Sequence, residues 1–200
     1  MTAEPDHRCL FDIASEQHGY FTAAQARSCG VKWDRLTDAT QRGRYIRIRR
    51  GLYRLRDYPT FPREEVTAAW LAIGKDIAVV SHDSALELHD LSDVIPEAVH
   101  LTVPRSKRYV PSLPGVVVHT TTKSLRPLDI TVQDGIKLTS PSRTILDAAE
   151  AGTAPNQIET AIQQAMRRGL ITRTEITRDA SNRSRRIARL VETALQGLPA

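Results

Sequence analysis

Residues 31–56 read Val31-Lys-Trp-Asp-Arg-Leu-Thr-Asp-Ala-Thr-Gln-Arg-Gly-Arg-Tyr-Ile-Arg-Ile-Arg-Arg-Gly-Leu-Tyr-Arg-Leu-Arg56, and the hydrophobic period changes halfway along them. From Val31 to Gly43 the pattern is helical, with Trp33, Leu36 and Thr40 on one side. At 100° per residue, Lys32, Arg35 and Arg42 fall in a sector of roughly 80° that excludes Trp33. The helix is therefore expected to bury one side and offer a cationic one. After Gly43 the period becomes 2. Ile46 and Ile48 share one strand face, Arg47 and Arg49 the other. Arg50-Gly51 supplies a turn, because glycine tolerates positive φ. The returning strand, Leu52 to Leu55, is expected to turn Tyr53 and Leu55 inward and Arg54 outward.

Upstream, Leu10, Ile13 and Ala14 recur at helical spacing, so residues from about Asp6 to His18 form a short amphipathic helix that Gly19 can end. Thr22-Ala-Ala-Gln25 has the form of a capping box and opens a second helix, closed by Cys29-Gly30. Helix, helix-turn-helix and basic hairpin is the order of a winged helix-turn-helix. A major groove accepts one helix, so the third helix is the candidate reader of bases. Lys32, Arg35, Gln41 and Arg42 are its candidate contacts: arginine can hold guanine bidentately, and glutamine can do so for adenine. Arg44, Arg47, Arg49, Arg50 and Arg54 sit where the start of the hairpin and its wing meet phosphates or a narrow minor groove. Trp33 and Tyr53 read as core residues rather than stacking platforms.

The charge distribution agrees. The chain of 200 residues carries a net charge of +5, too small to name a partner. Residues 31–56 alone hold nine basic and two acidic groups, whereas 57–100 hold two basic and nine acidic. A concentrated positive window is the electrostatic footprint of a nucleic-acid contact. No apolar run reaches the ~18 residues that a membrane-spanning helix needs. The start lacks the basic and apolar regions of a signal peptide. A cytoplasmic protein without membrane association is expected.

Tyr58-Pro-Thr-Phe-Pro62 reads as a linker. This gives a DNA-binding domain at 1–56, a linker at 57–62 and a second domain at 63–200. In the latter, 63–73 is helical in pattern, and Ser81 can cap a helix carrying Leu86 and Leu88. Residues 99–103 and 115–119 are strands by β-branched content. Asp134-Gly135 signals a hairpin. Ser140-Pro141 opens a helix, and the chain is helical from about 141, with Pro155 at a further helix start and Thr172 to Glu175 as a second capping box. A last helix carries Arg183, Arg185, Arg186 and Arg189 on a side that reads as solvated, with a second phosphate-facing surface as the alternative. The fold class is α+β: a winged helix-turn-helix followed by a mixed α/β domain ending in helices.

Catalytic patterns are missing. There is no glycine-rich phosphate loop, His-Glu-x-x-His or Gly-x-Ser-x-Gly motif. His82 and His89, seven apart, lack a third and fourth ligand at metal spacing, so neither a catalytic residue, a metal nor a cofactor is assigned. Cys9 and Cys29 cannot make a disulfide scaffold and read as small apolar fillers.

Several stretches together resemble the AbiEi family of type IV antitoxins. They are Gly19-Tyr-Phe-Thr-Ala-Ala-Gln-Ala26, Gly43 through Arg54, Val80-Ser-His-Asp-Ser-Ala-Leu-Glu-Leu-His-Asp-Leu91, Val99-His-Leu-Thr-Val-Pro104 and Leu138-Thr-Ser-Pro-Ser-Arg-Thr-Ile-Leu-Asp147. The resemblance implies a non-enzymatic antitoxin that binds double-stranded operator DNA, represses its own operon and opposes a nucleotidyltransferase-like toxin without needing a stable complex with it. An alternative reading is a protein–protein interaction module that sequesters a toxin directly, its DNA binding secondary.

Overall fold

The computed structural model describes residues 5–197. Contacts divide the chain into two compact units, one running to Asp76 and including residues 134–136, the other made of 77–133 and 137 onward. The fold is α+β. No described helix is long and apolar enough to cross a membrane.

The first unit contains α1 (His7–Ser15), β1 (Tyr20–Thr22), α2 (Ala23–Ser28), α3 (Trp33–Gln41), β2 (Tyr45–Arg49), β3 (Leu52–Leu55) and α4 (Glu64–Ile73). Asp6 caps α1 by accepting from the Cys9 amide at 2.8 Å. Thr22 and Gln25 make the expected reciprocal capping box at α2. The three helices bury Leu10, Ala14, Ala26, Val31 and Leu36 around Phe21. The Phe21 ring meets Tyr45 edge-on at 5.0 Å and stacks on Tyr53 at 5.8 Å. A buried ring of this kind contributes roughly 1.5–3 kcal/mol by removal from water.

The hairpin is not two-stranded. β1 pairs with β3, giving the order β1-β3-β2 and making β3 the central strand. β3 is paired at both edges and packs against α4; Leu52, Tyr53 and Arg54 are all buried, and the expected outward Arg54 is instead internal. A bulge between Arg47 and Arg49 breaks the alternation of β2. Tyr45 takes the buried position, and Ile48, placed on one face with Ile46 by the alternation, is 37% exposed. Cys9 and Cys29, expected as free fillers, are joined in a disulfide that ties α1 to the end of α2, their Cα atoms 5.8 Å apart.

Residues 57–62, expected to separate two domains, lie within this first unit. The Tyr58 hydroxyl donates to the Ser15 carbonyl at 3.2 Å, the Phe61 amide donates to Glu64, and α4 packs against β1 and β3. The division therefore falls after Asp76 rather than near Pro62.

The second unit is built on a five-stranded sheet containing β4 (Val79–Val80), β5 (Val99–Pro104), β6 (Val116–Thr121), β7 (Ile130–Gln133) and β8 (Ile136–Thr139), in the order β6-β5-β4-β8-β7. β4 runs antiparallel to β5 and parallel to β8, and β5 runs parallel to β6. Asp134 and Gly135 both have positive φ, as the turn between β7 and β8 requires. α5 (His82–Leu88) follows β4 directly. α6 (Pro141–Ala151), α7 (Pro155–Arg167), α8 (Arg173–Ser181) and α9 (Arg185–Gln196) form the helical part. Their core holds Leu86, Ile145, Ile158, Ile162, Ile187 and Val191. Proline stands at the first helical position of α6 and α7, where no amide hydrogen is needed. Arg183 does not belong to a solvated face: it precedes α9 and pairs inward with Asp147 and Glu150.

Candidate nucleic-acid interface

α3 ends in hydrogen bonds that aim the next strand. The Gly43 amide donates to Thr40 and the Arg44 amide to Ala39, at 3.0 and 2.9 Å. This Schellman arrangement needs the positive φ of Gly43 and turns the chain straight into β2. The tip of the β2–β3 hairpin is held as well, since the Gly51 carbonyl accepts from the Ala23 amide at 2.9 Å. α3 and the β2–β3 hairpin are thus fixed to one scaffold. Gln25 is committed to it: its side chain caps Thr22 and exchanges hydrogen bonds with Gln17.

Lys32, Arg35, Gln41 and Arg42 are all exposed on or beside α3, as are Arg44, Arg47 and Arg50 beyond it, while Arg49 is half-buried. Arg35, Arg42 and Arg44 line one shallow cavity of about 260 Å³ together with His7, Asp38 and Tyr45. Arg42 bonds Asp38 at 3.0 Å. Both side chains are well exposed, so the pair contributes little and Arg42 can exchange it for a phosphate. Among the described residues, Lys32, Arg35, Arg44, Arg47, Arg49 and Arg50 have no ion-pair partner. Burial raises the Tyr45 phenol above its usual range, against the pull of Arg44.

The exposed face of α3 is less cationic than expected. Asp34, Thr37, Asp38 and Gln41 occupy its middle, with Arg35 and Arg42 along one flank. Carboxylates repel phosphate but accept from the cytosine amino group, so this face suits base reading more than backbone gripping. Trp33, expected in the core, is 60% exposed at the first turn of α3. It stands beside Lys32 and presents a flat apolar surface of the kind that meets thymine methyl groups or sugars. The helical wheel hinted at this: Trp33 lies about 60° from Leu36, at the margin of the buried stripe.

Arg54 does not join this surface. Its Nη2 donates to the carbonyls of Tyr58 and Pro59 and lies 3.0 Å from Glu64 Oε1. Glu64 also accepts from the Tyr20 hydroxyl at 3.0 Å and the Phe61 amide at 2.8 Å. Burial works against the Glu64 carboxylate, but the bonds from Phe61, Tyr20 and Arg54 outweigh it and hold its pKa below the usual range. Burial and the bond to Glu64 push the Tyr20 phenol up to about 12. The ninth candidate contact is thus a structural cation.

The two histidines singled out by spacing also part company. His89 has its Nε2 2.8 Å from the Thr139 carbonyl. His82 instead meets His100 of β5 and His119 of β6, with one ring nitrogen from each within 4.8 Å of the others. Spacing along the chain could not reveal this group, because its members are 18 and 19 residues apart on three elements.

Residues 10–56 match a family model described as a transcriptional regulator, AbiEi antitoxin, and residues 77–195 match the AbiEi antitoxin C-terminal domain. Among solved structures, the Rv2827c protein from Mycobacterium tuberculosis aligns with a TM-score of 0.58 at 12% identity, covering 94% of this chain and 75% of that one. At that identity the likeness is one of fold. No curated protein matches the chain.

Proposed function

The chain belongs to the AbiEi antitoxin family, and on that premise we propose that it is the antitoxin of a type IV toxin–antitoxin pair. In this reading it works in the cytoplasm, binds double-stranded operator DNA, represses its own operon and counteracts a nucleotidyltransferase-like toxin. The family's domains are regulatory and antitoxin domains, not enzymes. The observation that carries the DNA-binding part is the set of exposed, unpaired cations on two adjoining elements: Lys32 and Arg35 of the recognition helix, Arg47 and Arg50 of the wing. α3 enters the major groove, where Arg35, Gln41 and Trp33 meet base edges, and the wing arginines hold flanking phosphates.

Fluorescence anisotropy with DNA from upstream of the protein's own reading frame tests the reading. Binding should exceed that to a scrambled duplex. Arg47→Ala and Arg50→Ala should each lower the dependence of log K on log salt by about 1, one phosphate contact apiece. Equal affinity for both duplexes, with the wild-type salt slope in both variants, overturns it. Co-expression with the neighbouring reading frame tests the toxin: growth arrest relieved by the antitoxin without co-purification supports the type IV scheme, and a stable complex favours direct sequestration.

A further inference from the structure

We propose that His82, His100 and His119 form a binding site for one divalent transition ion of the zinc class. The strand register builds it. Thr102 of β5 faces His119 of β6, so His119 lies diagonal to His100 on the same face of the sheet. β4 delivers the third imidazole: Ser81 follows Val80, its amide donating to the His100 carbonyl at 3.0 Å, and His82 opens α5 beside the pair. His82 adopts a φ of 54°, a left-handed conformation that a residue other than glycine holds at a cost of about 1–3 kcal/mol.

Three neutral imidazoles are the donor set. Burial, followed by the neighbouring His119 and His100, pushes the His82 pKa down to about 3, and burial lowers His100 and His119 as well. One nitrogen of each neutral ring carries a lone pair that an ion can take. His100 Nδ1 and His119 Nε2 are 3.0 Å apart and share a proton. An ion that replaces that proton at about 2.0–2.1 Å from each nitrogen needs a separation near 3.4 Å in tetrahedral geometry, a small adjustment. The His82 and His119 rings stack at 3.5 Å with 14° between their planes. Near-parallel planes cannot both contain one ion, so binding turns one ring about its Cβ–Cγ bond. The Ser81 hydroxyl, 2.8 Å from His82 Nδ1 and bonded by Thr102, engages that nitrogen and leaves Nε2 for the ion.

The surroundings mix both charges, Arg105, Arg143 and Arg183 against Asp147 and Glu150, and leave an open position. Asp83 and Asp147 act on His119 as negative charges, while Arg143 and Arg183, which act on His82 as positive ones, are both paired with Asp147. His82 and His119 line a cavity of about 410 Å³ that gives an entry path and room for a water as fourth ligand. The ion would tie β5, β6 and α5 together.

The full chain, with its Cys9–Cys29 bond intact so that no thiol competes, is stripped with EDTA and titrated with Zn²⁺ against a chromophoric chelator and with Co²⁺ in the visible range. Expected are one ion per chain, tetrahedral Co²⁺ bands and a raised Tm. His100→Gln and His119→Gln, on half-buried strand positions, should each weaken Zn²⁺ binding beyond the roughly 10–100-fold that loss of a supporting contact costs, with an unchanged far-UV spectrum. Failure of the wild-type chain to compete for Zn²⁺ overturns the proposal, and so does undiminished binding in a folded double variant.

Discussion

Arg54 Nη2 lies 3.0 Å from Glu64 Oε1, joining the central strand of the wing sheet to the helix that follows it. The guanidinium also satisfies two backbone carbonyls, so removing it leaves those carbonyls without their donor and the Glu64 carboxylate without its counter-charge. Breaking a buried pair in this way costs about 3–5 kcal/mol. Arg54→Ala should therefore lower the urea midpoint strongly while leaving the salt slope of DNA binding unchanged. Arg47→Ala, one strand away and exposed, should do the reverse. A loss of salt slope with Arg54→Ala at full stability would return that residue to the DNA surface.

The same pair sets an acid limit. The folded pKa of Glu64 lies below its unfolded value near 4.5, so its contribution is full above that pH and fades as the pH falls through the folded value. Urea titrations from pH 7 down to pH 3 should show stability falling with acid, and Glu64→Gln should start lower and flatten that fall. A parallel curve for the variant would mean that other carboxylates carry the acid sensitivity.

Gly19 has a φ of 85°, and a Cβ there would stand 2.6 Å from Cγ of Tyr58. Gly19→Ala therefore adds about 1 kcal/mol of backbone strain to an overlap costing about 1–3 kcal/mol. Tyr58→Ala should recover the overlap part and not the backbone part. Denaturation of the single and double variants measures the difference, and strictly additive losses would show that the two residues do not meet.

What the sequence made legible was local. The Thr22–Gln25 capping box, the prolines at helix starts, the Asp134-Gly135 turn and the stop at Gly43 are fixed by chemistry within a few residues, and each stands where its pattern puts it, while at Thr172 to Glu175 only the Thr172 half of the box forms. Misreadings arose where a distant strand or helix decides. Alternation in β3 assumes one open face, but β1 pairs along its edge, α4 packs against it, and Arg54 becomes core. The bulge at Arg47–Arg49 reverses Ile48. Trp33 sits at the edge of a helical stripe, where one residue of phase decides burial. The three histidines meet only through the parallel register of β5 and β6.

Cys9 and Cys29 enclose a loop of 20 residues containing β1 and α2. Closing a loop of that length stabilises by about 3 kcal/mol relative to the reduced chain. Adding dithiothreitol should lower Tm by roughly 10 °C or more in a unit of this size. A Cys9→Ala/Cys29→Ala variant should start at the reduced value and ignore the reagent. Equal Tm with and without reductant, at confirmed reduction, would return both cysteines to the role of apolar fillers.

Trp33 and Leu36 are three residues apart on α3, yet one is 60% exposed and the other 1%. Leu36→Ala empties a site in the helical core and should cost about 2–5 kcal/mol of stability. Trp33→Ala removes surface already in water and should leave the urea midpoint within about 0.5 kcal/mol. If the ring meets base edges, the same change weakens operator binding by about 1–3 kcal/mol and narrows the gap between operator and scrambled duplex. Loss of a phosphate contact, the role proposed for Arg47, would weaken both duplexes alike, so the ratio separates base reading from backbone gripping. A Trp33→Ala variant with an unchanged ratio would remove the ring from the recognition surface and leave Arg35 and Gln41 as the readers.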